Sequence, residues 1–134
     1  MFYNIHTGWN GIKQRSNEEI VIFYSSLHQL LASSVPFIFT DRHAYLEAAQ
    51  PFSDLAHLTE INWEILQRRD FKRDADNLEK VERYEAEALV HKHLPIAGLS
   101  GIACCNASSA ANIQRHVTAR KLATEIVIKP NWYF

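Results

Sequence analysis

Cysteine is almost absent from this 134-residue chain; there are two, Cys104 and Cys105, side by side. Adjacent cysteines do not staple distant loops, and they lack the paired spacing of a zinc ribbon. A disulfide framework and a structural zinc site are both disfavoured, and a reducing, cytoplasmic location is the expectation. Glycine and proline number only four each. There is no low-complexity linker, no repeat and no glycine-rich phosphate loop. No apolar run approaches the roughly 20 residues of a membrane span. Met1 to Asn10 lacks the basic start and apolar stretch of a secretory signal. An excess of either charge is missing too: Lys and Arg total 14, Asp and Glu 15. That excludes a generally basic nucleic-acid coat and leaves only a local patch for such a role.

The residues present are those of a globule. Hydrophobic residues make up 47% and aromatics 11%, too apolar for disorder. The length suits one domain, and a chain near 150 residues buries about 70% of its unfolded surface. Met1 to Arg15 reads as loop, with Gly8 and Gly11 around Trp9. Glu19 to Ser25 is rich in β-branched and aromatic residues and reads as a strand. Val35 to Thr40 is a second strand, with Pro36 at its start or on an edge. Asp41 is a plausible N-cap for a short helix through Tyr45 and Ala49, stopped by Pro51. Asn62 and Asn77 stand ahead of two further helices. Glu85 to Leu94 reads as a strand, Gly101 to Cys105 as another, Ala107 to Lys121 as the longest helix and Glu125 to Ile128 as the last strand. About five strands and three or four helices in irregular order predict an α+β fold.

Several groups could carry chemistry. In Glu85-Ala86-Glu87 the two carboxylates share one face of the predicted strand. Like charges this close raise one pKa and can divide electrostatic stabilisation from proton handling; a solvated strand end has the same spacing. Arg68, Arg69, Asp70, Phe71, Lys72 and Arg73 set four cations against one anion around an aromatic. That suits single-stranded nucleic acid, with phosphates on the cations and a base on Phe71, and equally describes a charged helix end. Asp41-Arg42-His43 follows a strand, where polar groups meet ligands. His91 and His93 share a face, but no third ligand stands at metal-binding spacing. No metal is expected. The cysteines read as strand residues rather than nucleophiles.

These pieces occur in order in one family. The stretches NIHTGWNGIKQR, NEEIVIFYSSL, VPFIFTDRHAY, INWEILQRRDF, ERYEAEALVHKHLP and the terminal NWYF make the chain resemble the C-terminal part of DarT, the DNA ADP-ribosyltransferase toxin of DarT–DarG toxin–antitoxin systems. The resemblance implies an ADP-ribosyltransferase-like mixed sheet with flanking helices. It implies NAD as co-substrate, a base in single-stranded DNA, typically thymine, as acceptor, and a macrodomain antitoxin of the DarG type as partner. Glu87 falls on the family's catalytic glutamate. Glu85 stands where many members have Gln. The stretch from Arg68 to Tyr84 corresponds to the substrate-recognition loop, so Arg68, Arg69, Phe71, Arg73 and Arg83, with His43 and Glu85, are the expected DNA-facing residues. Phe71 or Tyr84 would stack on a base.

The same resemblance implies that Met1 matches an internal position of the family. The segment supplying the first strand and much of the NAD pocket is then not among these residues. The alternative to a transferase is a remnant that binds single-stranded DNA or the antitoxin without catalysis.

Overall fold

The computed structural model describes residues 2–68, 72 and 74–133. In chain order the helices are α1 (Phe2–Thr7), α2 (Leu27–Ala32), α3 (Trp63–Arg68), α4 (Glu79–Tyr84) and α5 (Ala107–Ala119). The strands are β1 (Val21–Tyr24), β2 (Phe37–Thr40), β3 (Pro51–Phe52), β4 (Ala88–Val90), β5 (Gly101–Cys104) and β6 (Glu125–Ile128). The α+β expectation holds. The contacts form two compact units, Met1–Gln29 with Pro95–Phe134, and Leu30–Leu94.

The first unit is built on a sheet of order β1-β5-β6. β5 is its central strand, antiparallel to β1 and parallel to β6, and all four of its residues are buried. Gly101 is required there: a Cβ at that position would lie 2.6 Å from the Tyr24 hydroxyl. α5 is the parallel crossover. The Asn106 side chain accepts the Ser109 N–H at 2.9 Å, an N-cap that starts the helix. Its apolar stripe sends Ala110, Ile113 and Val117 onto Ile102, Cys104 and Ile126.

The second unit holds a sheet of order β3-β2-β4, antiparallel throughout. Phe39 is buried and meets Phe52 with ring centroids 5.5 Å apart. Leu30, Val35 and Ile61 are buried in the same unit. Asn62 caps α3 as expected, accepting the Ile65 N–H at 3.1 Å. α4 begins one residue later than expected, with Leu78 at the cap.

Three expectations fail for local reasons. The first fifteen residues are not all loop, since Phe2–Thr7 is helical. The helix expected from Asp41 does not form. The Asp41 carboxylate instead accepts the Gln50 N–H at 2.9 Å and the Arg42 Nε–H at 3.2 Å, closing a loop over residues that were to be helical. The strand expected from Glu85 to Leu94 shrinks to Ala88–Val90. Its partner β2 offers only Phe37 to Phe39 for pairing. Beyond it, Lys92 turns left-handed at φ 63° and leads the chain out of the sheet.

The tail is fastened to the first unit. The Tyr133 hydroxyl donates to the Ala103 carbonyl at 2.8 Å and lies 3.2 Å from that of Ile20. Burial pushes its pKa up to about 12. Burial also raises Tyr24, with help from Glu125, and the Cys104 thiol. All three groups are neutral in the fold and ionise more readily once unfolded. The stability they contribute is intact below their ordinary values and drains away as pH climbs toward 12. Urea midpoints should therefore fall between about pH 8 and about pH 11. They should fall less steeply in Tyr133→Phe, which should also cost about 1 kcal/mol near neutrality. Equal slopes in the two proteins would contradict this assignment.

Candidate active site

Glu87 stands one residue ahead of β4. Because Phe39 pairs with Ala88, Glu87 lies beside Thr40, whose N–H donates to the Glu87 carbonyl at 2.9 Å. The chain leaving β2 then turns over the Glu87 side chain. The Ala44 N–H donates to its Oε1 at 2.7 Å, and His43 Nδ1 lies 3.0 Å from the same oxygen. The Glu87 carboxylate is 34% exposed and the imidazole 49%, so the pair is fixed on one side and open to solvent on the other.

His43 Nδ1 has a second neighbour, the Tyr45 N–H at 3.2 Å. One ring nitrogen carries a lone pair or a proton, not both. Neutral at Nδ1, His43 accepts from Tyr45; protonated there, it donates to Glu87.

The loop that carries these groups is anchored from below. Thr40, Asp41 and Arg42 are all buried. The Thr40 hydroxyl donates to the Arg42 carbonyl at 2.6 Å. The Arg42 guanidinium meets Asp41 at 3.2 Å, Glu82 at 3.2 Å and Glu79 at 3.9 Å. Burial works against the guanidinium charge. The bond to Asp41 and the fields of Asp41, Glu79 and Glu82 outweigh it and raise the pKa above its ordinary value. Arg42 thus ties α4 to the loop over Glu87.

The other expected site residues fall in different places. Glu85 does not share a strand face with Glu87; it is exposed at the end of α4, its N–H on the Glu82 carbonyl. The paired-carboxylate reading from period two is corrected on that point. Arg68 pairs with Glu64 and Arg83 with Glu79, each one helical turn away. Such exposed pairs are worth only about 0.5 kcal/mol. Arg69, Phe71 and Arg73 lie outside the described residues. His91 and His93 sit in a tight turn after β4, with the His93 N–H on the His91 carbonyl at 2.8 Å. Among the described residues no group of three or more His, Cys, Asp or Glu is placed to hold a metal. None of their helices is long and apolar enough to cross a membrane.

Sequence reasoning missed the roles of Arg42 and of the Ala44 and Tyr45 backbone. The one available signal was Asp-Arg directly after a strand, where a neighbouring guanidinium competes with helix capping for the carboxylate. Removing Arg42 strands the Asp41 carboxylate, whose side chain is 9% exposed. Arg42→Ala should cost about 3 kcal/mol and accelerate hydrogen exchange at the Ala44 amide. Arg42→Lys keeps a charge but not the reach and should fall between. A wild-type urea midpoint in Arg42→Ala would remove this anchor from the account.

Comparison with known proteins identifies the family. All of residues 1–134 match the family described as "DarT: ssDNA thymidine ADP-ribosyltransferase, DarT". A DNA ADP-ribosyl transferase of Escherichia coli O127:H6 (strain E2348/69 / EPEC) is 45% identical over 134 residues, covering 100% of this chain and 62% of that protein. Thermus sp. 2.9 DarT in complex with NAD+ superposes with a TM-score of 0.86 at 26% identity, over 99% of this chain and 66% of that one. The same DarT in complex with ADP-ribosylated ssDNA gives 0.85 at 26%, over 99% and 63%. The chain thus spans less than two thirds of the length of the E. coli relative. With a full-length family match and a fold shared with solved members, the chain belongs to the DarT family of DNA ADP-ribosyltransferases.

Proposed function

We propose that this chain acts in the transfer of ADP-ribose from NAD to a base, thymine, in single-stranded DNA, with Glu87 as its reactive carboxylate. The observation that carries this reading is the hold on Glu87: one carboxylate oxygen takes the Ala44 N–H at 2.7 Å while the side chain stays open to solvent. Transfer breaks the bond between nicotinamide and ribose C1′ through an oxocarbenium-like state. A fixed carboxylate beside the ribose stabilises the developing positive charge and holds a 2′-hydroxyl, and its fixed position spares reorganisation during the reaction.

The thymine imide nitrogen forms the new bond to C1′ and gives up its proton. His43 is the acceptor we favour over Glu85, because its Nδ1 lies 3.0 Å from Glu87 Oε1. The protonated ring then donates to Glu87. Arg68 and Arg83, with Arg69, Phe71 and Arg73, supply contacts to the DNA backbone and bases. The NAD-gripping residues belong, on the resemblance, to the part of the relatives that this chain does not span. A DarG-type macrodomain partner and a cytoplasmic location complete the proposal.

The alternative reading is binding of single-stranded DNA or of the antitoxin without catalysis. The discriminating experiment incubates the protein with NAD and a thymine-containing single-stranded oligonucleotide, then weighs the oligonucleotide. A gain of one ADP-ribose with the wild type, lost in Glu87→Gln by at least about a hundredfold in rate, is the expected outcome. No gain, with oligonucleotide binding retained, selects the second reading. Undiminished transfer by Glu87→Gln refutes the role given to Glu87.

A further inference from the structure

Tyr45 follows Ala44 in the loop over Glu87. The preceding amide, Ala44 N–H, is on Glu87 Oε1 at 2.7 Å, and its own N–H faces His43 Nδ1 at 3.2 Å. The Leu46 N–H reaches the His43 carbonyl and the Ala49 N–H the Leu46 carbonyl, each at 3.0 Å. These bonds close the loop around Tyr45. Its side chain is nevertheless 91% exposed. A single exposed apolar group needs no explanation by itself. This one is different because its backbone is pinned and its neighbours in sequence and space are the half-open His43 and Glu87. A tyrosine ring has an apolar body that stacks well and only two side-chain torsions to fix on binding.

We propose that Tyr45 is a stacking platform for a base of the single-stranded DNA, next to the base that meets Glu87. This deepens the function proposed above and rests on it. Stacking on an aromatic face is indifferent to base identity, since every base has a π-face. The platform therefore positions the strand rather than reading its sequence. The ring, not the hydroxyl, carries the effect, and phosphate contacts are not involved.

The test is fluorescence anisotropy of a labelled thymine-rich single-stranded oligonucleotide at several salt concentrations, with the wild type, Tyr45→Ala and Tyr45→Phe. Thermal melts confirm that the variants are folded. Tyr45→Ala should bind about tenfold more weakly, Tyr45→Phe should bind like the wild type, and the slope of affinity against salt should be the same for all three. Wild-type affinity in Tyr45→Ala overturns the inference while leaving the DNA reading intact. So does a Tyr45→Phe variant as weak as Tyr45→Ala, or a salt slope altered in Tyr45→Ala. A wild type that does not bind the oligonucleotide at all overturns the DNA reading and this inference together.

Discussion

The site depends on one backbone hydrogen bond, from Thr40 N–H to the carbonyl of Glu87 at 2.9 Å. It extends the β2–β4 pairing one residue past the last ladder pair and so fixes Glu87 at the point where β2 ends. The chain continuing from β2 has to turn, and in turning it brings Ala44 and His43 to the Glu87 carboxylate. The strand pairing and one backbone N–H thus hold the Glu87 carboxylate in place.

Charge is arranged to serve this constraint. The chain is nearly neutral overall, and its buried cation, Arg42, is matched by Asp41, with Glu79 and Glu82 from α4. The buried Asp41–Arg42 pair fixes the loop, because leaving either charge unmatched there is costly. The exposed pairs Arg68–Glu64 and Arg83–Glu79 are of the opposite kind. Solvent screens them, so they fix little.

Much of this was legible from the residues. α5, expected over Ala107 to Lys121 from its near-3.6 spacing, forms over Ala107–Ala119, and β6 forms over the expected Glu125 to Ile128. Glu87 and His43 were singled out through family motifs, and the structure places the two side chains 3.0 Å apart. The failures share a cause. A strand lasts only as long as its partner, and β2 is four residues long, so alternation through His93 was pattern without pairing. Asp41 has the chemistry of a cap, yet Arg42 and the Gln50 N–H compete for its oxygens through contacts that spacing does not encode. The exposure of Tyr45 was invisible for a similar reason: exposure is a property of the fold, not of the residue type.

On the function proposed above, the ligand meets this chain at the loop over Glu87. Amide chemical shifts recorded while a thymine-rich single-stranded oligonucleotide is titrated into the isotopically labelled protein test it most directly. The account predicts that the largest changes fall on residues 43–45 and 87. Changes concentrated in β5, α5 and β6, with residues 43–45 and 87 unmoved, would contradict it.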